Sequence, residues 1–437
     1  MSHKEYTAGQ ISEHEGLSTF KLGMVWAGFP FIIAITITGS VFASKSSLLT
    51  AVSAIGIGSL IMFAYVGLLG EIGWRERRSF SQIAQMIFGD VGYLFVAGLL
   101  SFLVLGWFTI NTAMPAEIFA TSFGVPYYLV ATILGIAFVL VTARGIIGMN
   151  VISNFSVPLF FALILIAFAM LADRGNAGAH PHYTTVGDHS LTFQEILAGV
   201  LASFADSGTL APDFNRWATS RRASWISVFA AFPLGFGIAM LAGVGFTAML
   251  AMHGLGIADP FQSANPIGYL VGLGGAFAVF AVLVAIINQG SNATHCLYNS
   301  ALGFSKLFRQ RYLVTTAIVG TIGVIIAATG VWAFLLDWLE IIGVLVPPIG
   351  AVVIVASYSG YLARRSSGEL SGMAVAPWLS LGTGWVCGLI VNYSAAVRYL
   401  PVPIISFVAA AMAMGVLASV KGGQRRLTTS TLILDEE

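Results

Sequence analysis

Long apolar runs alternate with short polar links along the whole chain. A bilayer core of ~30 Å is crossed by about 20 apolar residues in helical form. Twelve runs reach roughly that length: 20–43, 47–73, 92–119, 124–143, 146–173, 192–212, 223–251, 268–304, 311–330, 332–361, 373–394 and 400–420. The run that includes 281–304 is the longest, so it must tilt or project into the cytoplasm. Basic residues orient the set. With the N-terminus inside, all but three of the 20 lysines and arginines fall in cytoplasmic segments, the exceptions being Lys45, Arg174 and Arg398. Lysine and arginine accumulate in short cytoplasmic loops, and one wrongly divided span would scramble this alternation. The pattern predicts an all-α integral membrane protein in the plasma (inner) membrane, with cytoplasmic tails at 1–19 and 421–437 and its longest outer loop at 174–191.

Composition supports that reading. Of the 437 residues, 57% are hydrophobic and 9% charged, whereas soluble domains carry about 25% charged residues. A formal net charge of +1 excludes a globally basic nucleic-acid binder. Cys296 and Cys387 sit inside apolar runs and read as small hydrophobes rather than a disulfide framework. Residues 1–19 are polar and show no short apolar core before a small-residue cleavage site, so no cleavable signal is read there. The outer loop holds His180, His182 and His189. A His-X-His pair lacks the other ligands of a closed metal site, and the loop is read as solvated. Asn292-Ala293-Thr294 matches a glycosylation pattern but falls within a span and is set aside.

Two spans contain helix breakers at membrane depth. The first reads Trp26-Ala27-Gly28-Phe29-Pro30-Phe31. Proline removes a backbone donor and clashes with the preceding turn, and glycine tolerates unwound geometry. The sixth reads Ser203-Phe204-Ala205-Asp206-Ser207-Gly208-Thr209, a run of poor helix formers and good caps. Backbone freed inside a bilayer is tolerated where it is buried in protein or lines a wet cavity. Interrupted helices at matching positions of two halves point to a transporter binding site, the alternative being a pair of ordinary kinks, since glycine and proline are common in membrane helices. Spans one and six match if the chain holds two five-helix repeats, 20–173 and 192–362, followed by two additional spans over 363–420.

Asp206 is the sharpest single residue. An acidic side chain near the bilayer centre costs at least ~2.5 kcal/mol on insertion scales, so it is expected to face a cavity with a partner. Three roles stand open: accepting from a substrate N–H edge, carrying a coupling proton, or capping the second half of span six. In span eight, Asn288, Ser291 and Asn292 lie on one helix face and offer oxygens to a hard cation. The same polar stripe is also suited to interhelical hydrogen bonding. His295 reads as an interior hydrogen-bonding histidine. Trp107 in span three and Phe204 beside the break are aromatic, and two such rings near one cavity can sandwich a flat solute.

At these residues the chain resembles the nucleobase–cation symporter-1 family, and within it the bacterial cytosine permeases. The matching strings are Ser203-Phe204…Gly208-Thr209-Leu210…Asp213-Phe214…Arg216, Leu297-Tyr298…Ser300…Leu302-Gly303-Phe304, and Pro347-Pro348-Ile349-Gly350. Gly106-Trp107-Phe108 and Phe88-Gly89 also match, and the likeness runs from about residue 20 to 365. The resemblance implies the LeuT fold, a five-plus-five inverted repeat with alternating access. It implies a nucleobase stacked between Trp107 and Phe204, with polar contacts near Ser203, Asp206, Asn288 and Gln289. It also implies a Na+ site from the carbonyls of Gly28, Phe31 and Asn288 and the side chains of Ser291 and Asn292. The chain departs from the family pattern at Asp206, where a small hydroxyl residue is common. It departs again at Val104, commonly glutamine, and at Ser291-Asn292, commonly a threonine pair. After the Pro-Pro motif, Ala356 or Ser357 replaces the usual acidic residue.

The resulting expectation is a cation-coupled importer, using Na+ or H+, of a nucleobase such as cytosine, a related aminopyrimidine or a purine. No other cofactor and no obligate protein partner is expected. An allantoin-like or hydantoin-like solute or a vitamin precursor is the alternative within this class. A channel requires a continuous polar pore, and an intramembrane enzyme requires paired catalytic groups. Asp337 and Glu340 are the nearest acidic pair, and their spacing suggests an outer-end polar face.

Overall fold

The computed structural model describes residues 9–174, 187–330, 335–370 and 374–433. Helices α1 (Thr19–Ala27) and α2 (Ile33–Ser44) form the first span, followed by α3 (Leu48–Glu76), α4 (Phe80–Phe123), α5 (Tyr127–Thr142) and α6 (Ile146–Ala172). The second half begins with α7 (Phe193–Ala202), α8 (Ala205–Thr209) and α9 (Pro212–Asn215), then α10 (Arg221–Phe229) and α11 (Phe236–Met252). It continues through α12 (Pro266–Leu273), α13 (Gly275–Phe308), α14 (Tyr312–Ala327), α15 (Leu335–Leu345), α16 (Pro347–Tyr358) and α17 (Tyr361–Ser366). Helices α18 (Val375–Asn392) and α19 (Val402–Ile433) close the chain. Among the described residues, eight helical segments are long and apolar enough to cross a bilayer, and four shorter apolar helices accompany them. Together they match the twelve expected spans.

The outside of the bundle is apolar. Phe155 and Leu165 on α6, Ile133 on α5 and Ile325 on α14 are each more than 60% exposed, as a lipid-facing surface requires. The interior holds the polar residues, among them Asp206, Asn288, Gln289 and Asn299, all fully buried. Close packing depends on small residues where helices cross. A β-carbon on Gly243 of α11 would lie 1.9 Å from the Thr36 carbonyl of α2, and one on Gly39 would lie 2.0 Å from the Met240 carbonyl. Without a hydrophobic drive between helices in lipid, such backbone approach is what lets them associate.

Several boundaries differ from those read off hydropathy. The third span starts at Phe80, because Ser79 and Gln82 form a reciprocal capping box and the chain then kinks at Gly89, where φ is 79°. Hydropathy does not register that polar first turn. The long run at 268–304 is two helices, divided at Gly274 and Gly275, both at positive φ. The seventh span is also interrupted, at Phe232-Pro233, where the backbone at Phe232 is extended. The tenth divides before Pro347, and α19 runs past the expected end at 420. The N-terminal tail is docked from Gly9 onward: Gln82 Nε2 donates to Gly9 O at 2.9 Å, Ile11 N–H to Arg77 O at 3.0 Å and Leu17 N–H to Trp217 O at 2.8 Å. Of the outer-loop histidines, His180 and His182 lie outside the described residues.

Candidate solute and cation site

The break in span one lies where glycine and proline place it. α1 stops at Ala27, α2 starts at Ile33, and Gly28 to Ile32 are unwound. Helix ends leave backbone groups without intrahelical partners, and these must be satisfied at membrane depth. One side chain from α13 serves both ends of the gap. The Ile33 N–H donates to Asn288 Oδ1 at 2.8 Å, and Asn288 Nδ2 donates to Phe31 O at 2.6 Å. The same nitrogen reaches Ser156 Oγ on α6 at 3.0 Å. One turn along, Ser291 Oγ donates to Gly28 O at 2.8 Å and lies 3.4 Å from Ser153 Oγ. His295 continues the stripe: its ring stacks on Phe29 at 4.9 Å, Nε2 lies 2.9 Å from Val25 O and Nδ1 lies 2.6 Å from Ser291 O.

Gly28, Phe31, Asn288 and Ser291 therefore converge. Ser153 and Ser156 join them from α6, and nothing in the sequence singled these two out. The donors are neutral carbonyl and hydroxyl oxygens, a set that fits a hard monovalent cation at a broken helix. Asn292 is placed differently from the expectation. It faces a separate cavity, and its Oδ1 accepts from Cys296 Sγ at 3.0 Å. On a helix, 292 is rotated about 100° from 291, which moves it off the face that meets α1.

Span six breaks at Phe204, whose φ of −142° separates α7 from the short helix α8. The Gly208 N–H donates back to Phe204 O at 2.8 Å, and Thr209 bonds to the Tyr65 hydroxyl of α3. Phe204 is held edge-on by Phe29 at 4.9 Å, Phe232 at 5.4 Å and Phe236 at 5.6 Å. Between the two breaks lies a narrow cavity of about 10 Å³, room for roughly one water molecule. Trp107, Phe204, Ser203, Ser207 and Asn292 are among its walls, with Thr38 of α2 and Leu339 of α15.

The expected solute residues thus divide. Trp107, Ser203 and Phe204 line the cavity. Asp206, Asn288 and Gln289 are not in its wall: Asn288 is engaged at the span-one break, and Gln289 Nε2 donates to Met114 Sδ at 3.0 Å. Asp206 sits behind Ser207. Its Oδ1 accepts the Ser207 N–H at 2.7 Å, while Oδ2 makes no hydrogen bond. The Trp107 indole N–H lies toward the Asp206 carboxylate without the geometry of a formed hydrogen bond, and Gln289 Oε1 is buried without one. Thr38 and Leu339 were missed because each is an ordinary residue in an apolar run, and Ser207, although part of the span-six break, was passed over for the acidic Asp206 beside it.

A family description, permease for cytosine/purines, uracil, thiamine, allantoin, matches residues 12–418. The chain belongs to this family, the cytosine/purine permeases of the nucleobase–cation symporter-1 group. It is 26% identical to the cytosine permease of Escherichia coli (strain K12) over 362 residues, which cover 82% of this chain and 81% of that protein. Among solved structures it resembles Mhp1, described as a nucleobase-cation-symport-1 family transporter in a closed conformation with bromovinylhydantoin bound, with a TM-score of 0.75. The identity is 17%, over 95% of this chain and 96% of Mhp1. A Na+-coupled sialic acid symporter in a substrate-bound outward-open state follows with a TM-score of 0.68 and 13% identity, over 93% of this chain and 91% of that one. These likenesses establish the LeuT-like fold. This permease-family member is accordingly a multi-pass membrane transporter built on that fold.

Proposed function

We propose that this permease imports a nucleobase, cytosine or a related amino-bearing pyrimidine or purine, by cation symport with alternating access. Two breaks in spans one and six that flank one cavity, with Trp107 and Phe204 on its walls, carry this reading. The flat ring stacks between the two aromatics, and Ser203, Ser207 and Asn292 meet its polar edge. Asp206 Oδ2, one residue deeper, is the acceptor for an exocyclic amino group once the walls part. A cavity this narrow admits a ring only if the walls move, so the state described is a closed one. The coupling cation is Na+, held by Gly28 O, Phe31 O and Ser291 Oγ with Ser153 and Ser156 beside them. It draws α1 against α6 and α13 and so favours the state closed to the cytoplasm. Ligands shift such an equilibrium only through different affinities for its two states, so cation and solute must tighten each other's binding. The halves 20–173 and 192–362 are the two repeats, and both termini are cytoplasmic.

The family description also names allantoin, and Mhp1 was seen with a hydantoin, so a non-nucleobase ring is the second reading. A thermal-shift panel on the purified protein separates the two, since a ligand that binds the folded state raises its melting temperature. Cytosine or adenine with Na+ should give the largest shift. A shift from allantoin or hydantoin alone would replace the nucleobase reading with the second.

A further inference from the structure

The cavity leaves a group of buried polar atoms unexplained. Asp206 Oδ2, both amide atoms of Asn299, Ser300 Oγ and Ser101 Oγ make no hydrogen bond, and none of the four residues is more than 1% exposed. Buried polar groups are nearly always paired, so an unpaired cluster calls for a cause. Their depths are ordered. With both termini cytoplasmic, as proposed above, helix α13 runs inward, and Asn299 lies two turns beyond Asn292 of the cavity wall, about 10 Å along the axis. Cys296, one turn beyond Asn292, donates from its Sγ to Asn292 Oδ1 at 3.0 Å. Helix α4 runs antiparallel to α13, and Ser101 lies nearly two turns inward of Trp107. It meets α13 beside Gly303, where a β-carbon would fall 1.9 Å from Ser101 Oγ. The unpaired atoms therefore follow one another in depth from the level of the cavity toward the cytoplasm, on α8, α13 and α4, with Ser101 packed against α13.

We propose that Asp206, Asn299, Ser300 and Ser101 line the route by which the solute leaves for the cytoplasm, each offering a hydrogen bond to its N–H and C=O edges in turn. The proposal rests on the alternating-access reading above but not on which heterocycle is carried. In the closed state these atoms make no hydrogen bond to the protein, which leaves that state without the stabilisation such bonds would give it. When the cytoplasmic half opens, water and solute reach them and supply those bonds. The same residues thus bias the protein toward inward opening, and an apolar side chain of similar size at 299 should do the opposite.

The test uses the full-length protein in two arms. Asn299→Leu should raise the melting temperature of the purified protein while lowering the maximal rate of cytosine uptake by about tenfold, since opening steps often limit turnover. Its equilibrium affinity for cytosine should stay within about twofold. In the second arm, Asn299→Cys in oriented vesicles is treated with a small charged thiol reagent, without solute, beside the unsubstituted protein. The new cysteine should react from the cytoplasmic face and not from the outer face. Asn299→Leu with a lowered melting temperature and unchanged uptake, or Asn299→Cys that reacts from the outer face or from neither, would overturn the route. If wild-type protein takes up no cytosine, the nucleobase reading fails, while the melting and labelling arms still decide the route.

Discussion

The Asn288 side chain donates to the Phe31 carbonyl at 2.6 Å, and its oxygen takes the Ile33 N–H two residues further on at 2.8 Å. One amide from α13 thus replaces the helical hydrogen bonds that the first span gives up at its break. Asn288→Ala should leave a buried donor and a buried acceptor bare. Each such group costs ~1–3 kcal/mol, so a loss of roughly 2–6 kcal/mol is expected in thermal or denaturant unfolding. An unchanged melting curve would show that the break does not depend on this residue.

Ser291 and Gly28 make the second tie between these elements, at 2.8 Å. Ser291→Ala removes one oxygen from the proposed cation site without disturbing the cavity wall. The Na+ concentration giving half-maximal uptake should rise about tenfold, the scale of one lost ligand interaction of ~1.4 kcal/mol, with uptake recovering at saturating Na+. Gly28→Ala should have a harsher effect, because the new β-carbon would lie 2.1 Å from Ser153 Oγ and 2.9 Å from Ser291 Oγ. Uptake titrated against Na+ in the two variants checks both expectations.

Asp206 distinguishes between solutes. A hydrogen bond to a charged acceptor contributes ~1.5–3 kcal/mol. Asp206→Asn should therefore weaken binding of cytosine and adenine about 10- to 150-fold, and uracil and hypoxanthine, which lack the amino group, much less. Competition binding across these four bases reads the difference directly. Equal losses for all four would reduce Asp206 to a cap on α8, as its bond to the Ser207 N–H allows.

Stacking is tested at both walls. Trp107→Ala and Phe204→Ala should each lower affinity for any flat ring by the ~1–3 kcal/mol typical of base–aromatic stacking, whatever polar groups the ring bears. Phe204→Ala should also destabilise the fold, since that ring packs against Phe29, Phe232 and Phe236. Trp107 sits at the cavity with its indole N–H making no formed hydrogen bond. Melting curves beside binding curves separate the two contributions.

Much of this architecture is legible in the sequence because lipid imposes strict terms. Spans must be long and apolar, and a break such as Gly28-Phe29-Pro30 must be compensated, so hydropathy and helix breakers together locate both the bundle and its centre. The grouping of Gly28, Phe31, Asn288 and Ser291 is implied by the family resemblance, since the polar stripe on α13 alone suits interhelical hydrogen bonding equally well, and the structure brings the four together. The direction of individual side chains is a different matter. Whether Asp206 or Ser207 faces the cavity depends on how far α8 turns after Phe204, which no residue type encodes. Asn292 differs from Ser291 by one step of helical rotation, enough to move it from the proposed cation site to the cavity. Ser153 and Ser156 were hidden because serine at helical spacing is common in membrane spans, and only contact with Asn288 and Ser291 marks them. The interruption at Phe232-Pro233 was overlooked although proline announces it, because the flanking residues are uniformly apolar.

The account stands most directly on uptake into proteoliposomes. Purified protein, reconstituted with Na+ outside and K+ inside, should accumulate labelled cytosine above the external concentration. Accumulation should saturate, collapse when the Na+ gradient is dissipated and fall sharply in Trp107→Ala. Cytosine entry that merely equilibrates, does not saturate and ignores the imposed gradient would contradict coupled transport through the site between the two broken helices.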